Sequence, residues 1–137
     1  MTEGEHAALT PSKELLNRAK KRAKPKSARK GEPSFLMTDE MRRLSTPWSV
    51  ASIRAGQIDP LALPAGVIMD AAAGSGVQLI AYSKTLRRPA LGIELDENVA
   101  ELCAANMHLN SEGDVQRSLD RVLVGDGSAA ESAISAY

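Results

Sequence analysis

A chain of 137 residues with 43% hydrophobic and 25% charged residues has the makeup of one globular domain with a modest core, which argues against two domains. No apolar run approaches the roughly 18 residues that span a bilayer, and the basic N-terminal residues lead into no apolar stretch. Neither a membrane segment nor a secretory signal is therefore indicated, and a cytoplasmic location is expected. The formal charge of zero hides an asymmetry: residues 1–30 carry nine Lys/Arg against three Glu, a net +6, and the remainder carries a net −6.

Residues 1–9 show no periodicity and are expected to be disordered. Thr10-Pro11 reads as a cap and first helical position before Leu15, Leu16, Ala19 and Ala23 at helical spacing, with basic side chains around the rest of the helix. Pro25 ends it, and residues 26–33 have the composition of a solvated linker. Residues 1–33 are thus expected as a basic arm, largely disordered or marginally helical, and residues 34–137 as the folded domain. The Lys13 to Lys30 run has the charge density to neutralise several phosphates, so RNA is an expected partner, while a solvated tail or a nuclear-import signal has the same composition.

Thr38 caps a short helix with Asp39 and Glu40 in its first turn, where they complement the dipole. Thr46-Pro47 starts a second helix, Trp48 to Ala55, that Gly56 ends. Trp48, the sole tryptophan, either anchors that helix on the sheet or stacks on a base. Asp59-Pro60 through Gly66 makes a tight approach to the first core strand.

The segment from Val67 to Asn110 organises the chain. Val67 to Asp70 reads as a strand, Ala71 to Gly76 as a small-residue loop, and Val77 onward as a helix whose free N–H groups face the loop. The pattern repeats with Leu91-Gly92-Ile93-Glu94 and a helix from Asp96 to about Asn110 carrying Val99, Leu102, Cys103 and Met107 on one face. A third strand, Arg121 to Asp126, ends in another acid, and Ser128 to Tyr137 has the makeup of a further helix start. The fold class expected is α/β, a Rossmann-like parallel sheet of strand order 3-2-1. A dinucleotide site is the first rival, but Leu79 stands at the third glycine position of that fingerprint, and the Asp70 carboxylate at the mouth of the loop would repel a pyrophosphate. A ligand with an ammonium and a sulfonium in place of phosphates turns that repulsion into attraction.

Asp70-Ala71-Ala72-Ala73-Gly74-Ser75-Gly76 resembles motif I of class I S-adenosylmethionine-dependent methyltransferases, and Gly92-Ile93-Glu94-Leu95-Asp96 resembles their second-strand motif. The likeness covers roughly residues 46–127 and departs at Ala72, where the family often has glycine. It implies S-adenosyl-L-methionine as cofactor, held by Asp70, Ala71, Ala72, Gly74, Ser75, Gly76, Glu94, Leu95, Asp126 and Gly127. Glu94 would accept from both ribose hydroxyls, and Asp126 would face the adenine amino group. The Thr-Pro helix start is similar to a segment of trimethylguanosine synthase-like and THUMP-associated RNA methyltransferases, which makes Thr46, Pro47 and Trp48 candidates on the substrate side. Gln78 fits the same subgroup.

The family's fourth strand, with its acceptor-orienting Asn/Asp-Pro-Pro-Tyr/Phe loop, is not in the sequence. The chain is therefore expected to be the N-terminal cofactor-binding half of an RNA methyltransferase, with an apolar sheet edge that a partner chain would complete. The alternative is a basic-armed RNA-binding module that keeps a vestigial cofactor fold. Cys103, the only cysteine, is expected as a buried thiol, and neither His6 nor His108 sits in a metal-ligand cluster, so no metal is expected.

Overall fold

Helical crossovers make a parallel sheet: the strands that start at residues 68 and 90 are each followed by a helix that returns the chain to the same end of the sheet. The computed structural model describes residues 7–25, 30–111 and 119–129. Its elements in order are β1 (Ala7–Leu9), α1 (Lys13–Lys20), β2 (Lys24–Pro25), β3 (Leu36–Met37), α2 (Asp39–Leu44), α3 (Trp48–Gly56), β4 (Ile68–Asp70), α4 (Val77–Leu86), β5 (Ala90–Glu94), α5 (Glu97–Leu109) and β6 (Arg121–Val124). Two single 3-10 turns, Pro60–Ala62 and Gly127–Ala129, complete the described chain.

The main sheet has four strands in the order β1-β6-β5-β4. Strands β4, β5 and β6 are mutually parallel, pairing Asp70 with Gly92 and Glu94 with Val124, so all three end at the same edge of the sheet, β5 two residues beyond β4 and level with β6. Strand β6 stops at Val124, short of the expected Asp126, which lies in the turn beyond it. The sheet is therefore mixed, because Ala7–Leu9 pairs antiparallel with Val122–Val124. This corrects the expected three-stranded order and the expectation of disorder for residues 7–9: three small apolar residues carry no periodic signal, yet they satisfy the outer edge of β6. At the opposite edge, Met69 in β4 and Val67 just before it are exposed.

Alternation divides the sheet into two faces. Ala90, Val122 and the partly buried Ile68 and Val124 face the cluster formed with Val77, Leu79, Ile80, Cys103, Ala104 and Met107. Leu91, Ile93 and Leu123 point the other way into a cluster of their own. Close approach of α4 to the sheet depends on the strand glycine: a Cβ at Gly92 would lie 3.2 Å from Leu79 Cδ2 and 3.0 Å from the Ala73 methyl. The helix can thus carry Leu79, because the glycine that closes this contact stands on the strand.

Helix α1 also departs from the expected arm. Ser12, not Thr10, is its cap, accepting from the Leu15 N–H at 3.2 Å. Leu15, Leu16 and Ala19 are buried, the last two within a cluster containing Leu102 and Ala105 of α5. Arg18 and Arg22 both bond the Glu101 carboxylate, Arg22 at 2.7 Å, and Arg22 also donates to Asn98 Oδ1. Strands β2 and β3 then pair antiparallel, so residues 7–25 lie on the domain. The expectations for residues 1–6, 26–29, 112–118 and 130–137 fall outside the described residues.

Among the described residues no helix is long and apolar enough to cross a membrane.

Candidate functional site

The glycine loop is built by local rules. Asp70, at the end of β4, turns its Oδ1 back to accept from the Ala72 N–H at 3.0 Å. The Ala73 N–H donates to the Ile93 carbonyl at 3.1 Å, which ties the loop to the neighbouring strand. Gly74 and Gly76 adopt φ of 54° and 91°, the left-handed region that side chains avoid. Gly76 caps α4 from beneath α5, where a Cβ would lie 3.0 Å from Cys103 Sγ. A Cβ on Gly74 would meet nothing within 4 Å, so this part of the loop faces open space.

That space is a groove of about 560 Å³, within the size range of small-molecule sites. Asp70, Ala72, Gly74, Ser75 and Glu94 line it on the sheet side. Glu94 is held by two backbone donors, Gly74 N–H to Oε1 and Asp96 N–H to Oε2, both at 3.1 Å. Asp96 caps α5 through the Asn98 and Val99 amides at 2.9 and 3.1 Å. A second cavity of about 420 Å³ lies on the other side of Glu94, bounded by Ala71, Ala72, Leu95, Asp126, Gly127 and Ser128. Ala72 and Glu94 border both cavities. Gly127 is pinned against the loop, since a Cβ there would stand 1.8 Å from the Ala71 carbonyl oxygen. Asp126 is exposed and accepts from the Ser128 N–H at 2.9 Å.

The structure therefore brings the sequence-derived residues to one rim, with Gly76 beneath it as the buried cap. The substrate-side candidates separate. Thr46 lines the first cavity and donates to Gln78 Oε1 at 3.3 Å, whereas Pro47 is the exposed cap of α3. Trp48 packs on the core with its ring 5.8 Å from Phe35, in the role of anchor.

The far wall escaped the sequence reading. Thr38, Glu40, Met41, Leu44 and Ser45 come from α2 and its flanks, and Asp96, Asn98 and Val99 from the start of α5. Only Asp96 carried a usable signal, as the last residue of the second-strand motif. Four carboxylates, Glu40, Asp70, Glu94 and Asp96, border the first cavity, and among the described residues no Lys or Arg does. Such a site favours a cationic ligand and disfavours a phosphate.

Cys103 lies fully buried behind the loop. Burial pushes its thiol well above the ordinary range, and the Asp70, Glu94 and Asp120 carboxylates add to the rise, so it stays protonated and unreactive. No group of three or more His, Cys, Asp or Glu among the described residues is placed to hold a metal ion. Compared with known proteins, the chain matches no family model, no curated protein and no solved structure.

Proposed function

We propose that the groove binds S-adenosyl-L-methionine in a Rossmann-like half-domain, and that the chain is the cofactor-binding half of a methyltransferase acting on RNA. The observation that carries this reading is Glu94, fixed by two backbone amides between two cavities, one bordered by Asp70 and the other by Asp126. A carboxylate so oriented keeps lone pairs free for a vicinal diol. The residues fit the cofactor: the carboxylate-lined first cavity suits an ammonium and a sulfonium, and open space above Gly74 admits the ligand against the backbone.

When bound, the cofactor supplies an electrophilic methyl group. The chain's own residues bind and orient it. Asp70 and the Gly74-Ser75 backbone would hold the amino-acid part, Glu94 the ribose hydroxyls, and Leu95, Asp126 and Gly127 the adenine. Thr46 and Ser45 stand on the opposite wall, where an acceptor would enter. Methyl transfer is a displacement governed by alignment, so the far wall and a strand added beside β4 by further chain or a partner would complete the acceptor side.

The RNA part of the reading rests on α1, whose Lys13 and Lys20 are exposed, as are Lys21 and Lys24 beyond it, while Arg18 and Arg22 are engaged by Glu101. That fixed cationic face equally supports the alternative, an RNA-binding module with a vestigial cofactor fold. Calorimetric titration with S-adenosylmethionine and, separately, with NAD tests the cofactor. Saturable binding of the first with none of the second is expected, and preference for NAD would overturn the proposal.

A further inference from the structure

Asn106 is fully buried on α5 and takes no part in lining either cavity, yet its carboxamide joins Ser75 of the loop wall to Leu36, two residues before the far wall begins at Thr38. Its Oδ1 accepts from the Leu36 N–H at 2.7 Å, and its Nδ2 donates to the Leu36 carbonyl at 3.0 Å and to the Ser75 carbonyl at 2.8 Å. The orientation is fixed by chemistry, because a flipped amide would set donor against donor and oxygen against two carbonyls. Asn110, one turn later, donates to the Ser34 carbonyl at 3.1 Å and to the Asn106 carbonyl at 2.9 Å. Among the described residues, Asn106 is the side chain that hydrogen-bonds both the chain before α2 and the glycine loop.

A second link joins the same parts at the other end of α2. Ser45 Oγ lies 3.1 Å from Ser75 Oγ, and Thr46 Oγ1 donates to Gln78. Between these points α2 has no buried residue, with Met41 as its partly buried contact to the core. Midway along α2, Arg42 donates to the Lys24 and Pro25 carbonyls at 3.3 and 3.1 Å, which ties the wall to β2, while its two ends are tied to the loop and both of those ties reach Ser75. A buried amide with every bond made is costly to disturb, so it holds the segments it joins in one fixed relation.

We propose that Asn106 is a positioning residue that couples the glycine loop to the α2 wall, so that ligand seated on Gly74 orders Leu36–Ser45 and the two walls move together. The identity of the ligand rests on the S-adenosylmethionine reading; the coupling does not. Asn106→Asp keeps an acceptor for the Leu36 N–H but presents oxygen to the Leu36 and Ser75 carbonyls. In the ligand-free full chain, amide hydrogen exchange at Leu36, Ser45, Gly74 and Gly76 should quicken about tenfold in this variant relative to Ile68 and Ala90. A merely structural role would speed all six amides alike, and that result, or unchanged Gly74 and Gly76 exchange, would overturn the proposal. Should Asn106→Asp fail to fold, Ser45→Ala cuts the second link and should quicken Gly76 and Ser45 together about threefold, whereas quickening of Ser45 alone counts against coupling. With saturating S-adenosylhomocysteine, the wild-type chain should protect Leu36 and Gly74 together, and Asn106→Asp should protect Gly74 alone. Failure of the wild-type chain to bind that probe would sink the proposed function while the ligand-free exchange still decides the role of Asn106.

Discussion

Glu94 and Gly74, twenty residues apart, meet across the gap between two strand ends, with the Gly74 N–H donating to Glu94 Oε1 at 3.1 Å. The contact orients the carboxylate before any ligand arrives and holds the loop open at the residue that lacks a side chain. If the groove takes the proposed cofactor, Glu94→Ala should weaken S-adenosylhomocysteine binding by about 1–3 kcal/mol, because the ribose diol would lose a charged acceptor. Isothermal calorimetry on the two proteins measures this, and equal affinities would remove Glu94 from the site.

The glycines should differ sharply in their tolerance of alanine. Gly127→Ala drives a methyl into the Ala71 carbonyl and should cost about 1–3 kcal/mol by separating the β6 end from the loop. Gly74→Ala meets open space and carries only the left-handed backbone penalty, about 1–2 kcal/mol. Gly56→Ala, at the end of α3 with nothing nearby, should raise stability by roughly 0.5–1 kcal/mol. Urea unfolding of the three variants gives the order.

Glu101 holds α1 to α5 through two arginines while itself only 9% exposed at the side chain. Glu101→Ala should lower stability by about 1–2 kcal/mol, less than a buried pair would lose, since both guanidinium groups are half in water. Limited proteolysis should then cut near residues 20–25 first. Arg18→Ala, which leaves Arg22 in place, should do less.

For Cys103 the native thiol titrates far above its unfolded value of about 8.5, because burial and three carboxylates disfavour the thiolate. Between those two pKa values the unfolded chain has lost the proton that the native chain keeps. Stability is therefore fully present below about pH 8.5 and falls as pH rises, by up to about 1.4 kcal/mol per unit from this group. Cys103→Ser should remove the alkaline slope in urea titrations at pH 8 to 10. An aromatic disulfide reagent should modify the thiol in urea and leave the native chain untouched.

The proposed RNA contact predicts a charge effect without a folding effect. Replacing Lys20, Lys21 and Lys24 with alanine leaves the buried face of α1 intact. The slope of log affinity against log salt for single-stranded RNA should shrink by about 2. An unchanged slope would make this face a solvated surface only.

What the sequence determined by itself is local in its physics. Thr38 caps α2, Asp96 caps α5, and small residues with two glycines follow β4, because each feature depends on neighbours a few positions away. The acids at the ends of β4 and β5 are equally legible, since alternation and turn residues set where a strand stops, whereas β6 ends two residues before Asp126. Tertiary structure decided the remainder. Ala7–Leu9 becomes a strand only because β6 offers it an edge, and α1 leaves solvent only because α5 supplies Leu102, Ala105 and Glu101. The α2 wall and its fastening by Asn106 join residues as much as seventy positions apart, a relation that no local propensity encodes. An asparagine inside a helix reads as a weak helix former; its meaning here comes from three backbone groups that folding brings within reach of one amide.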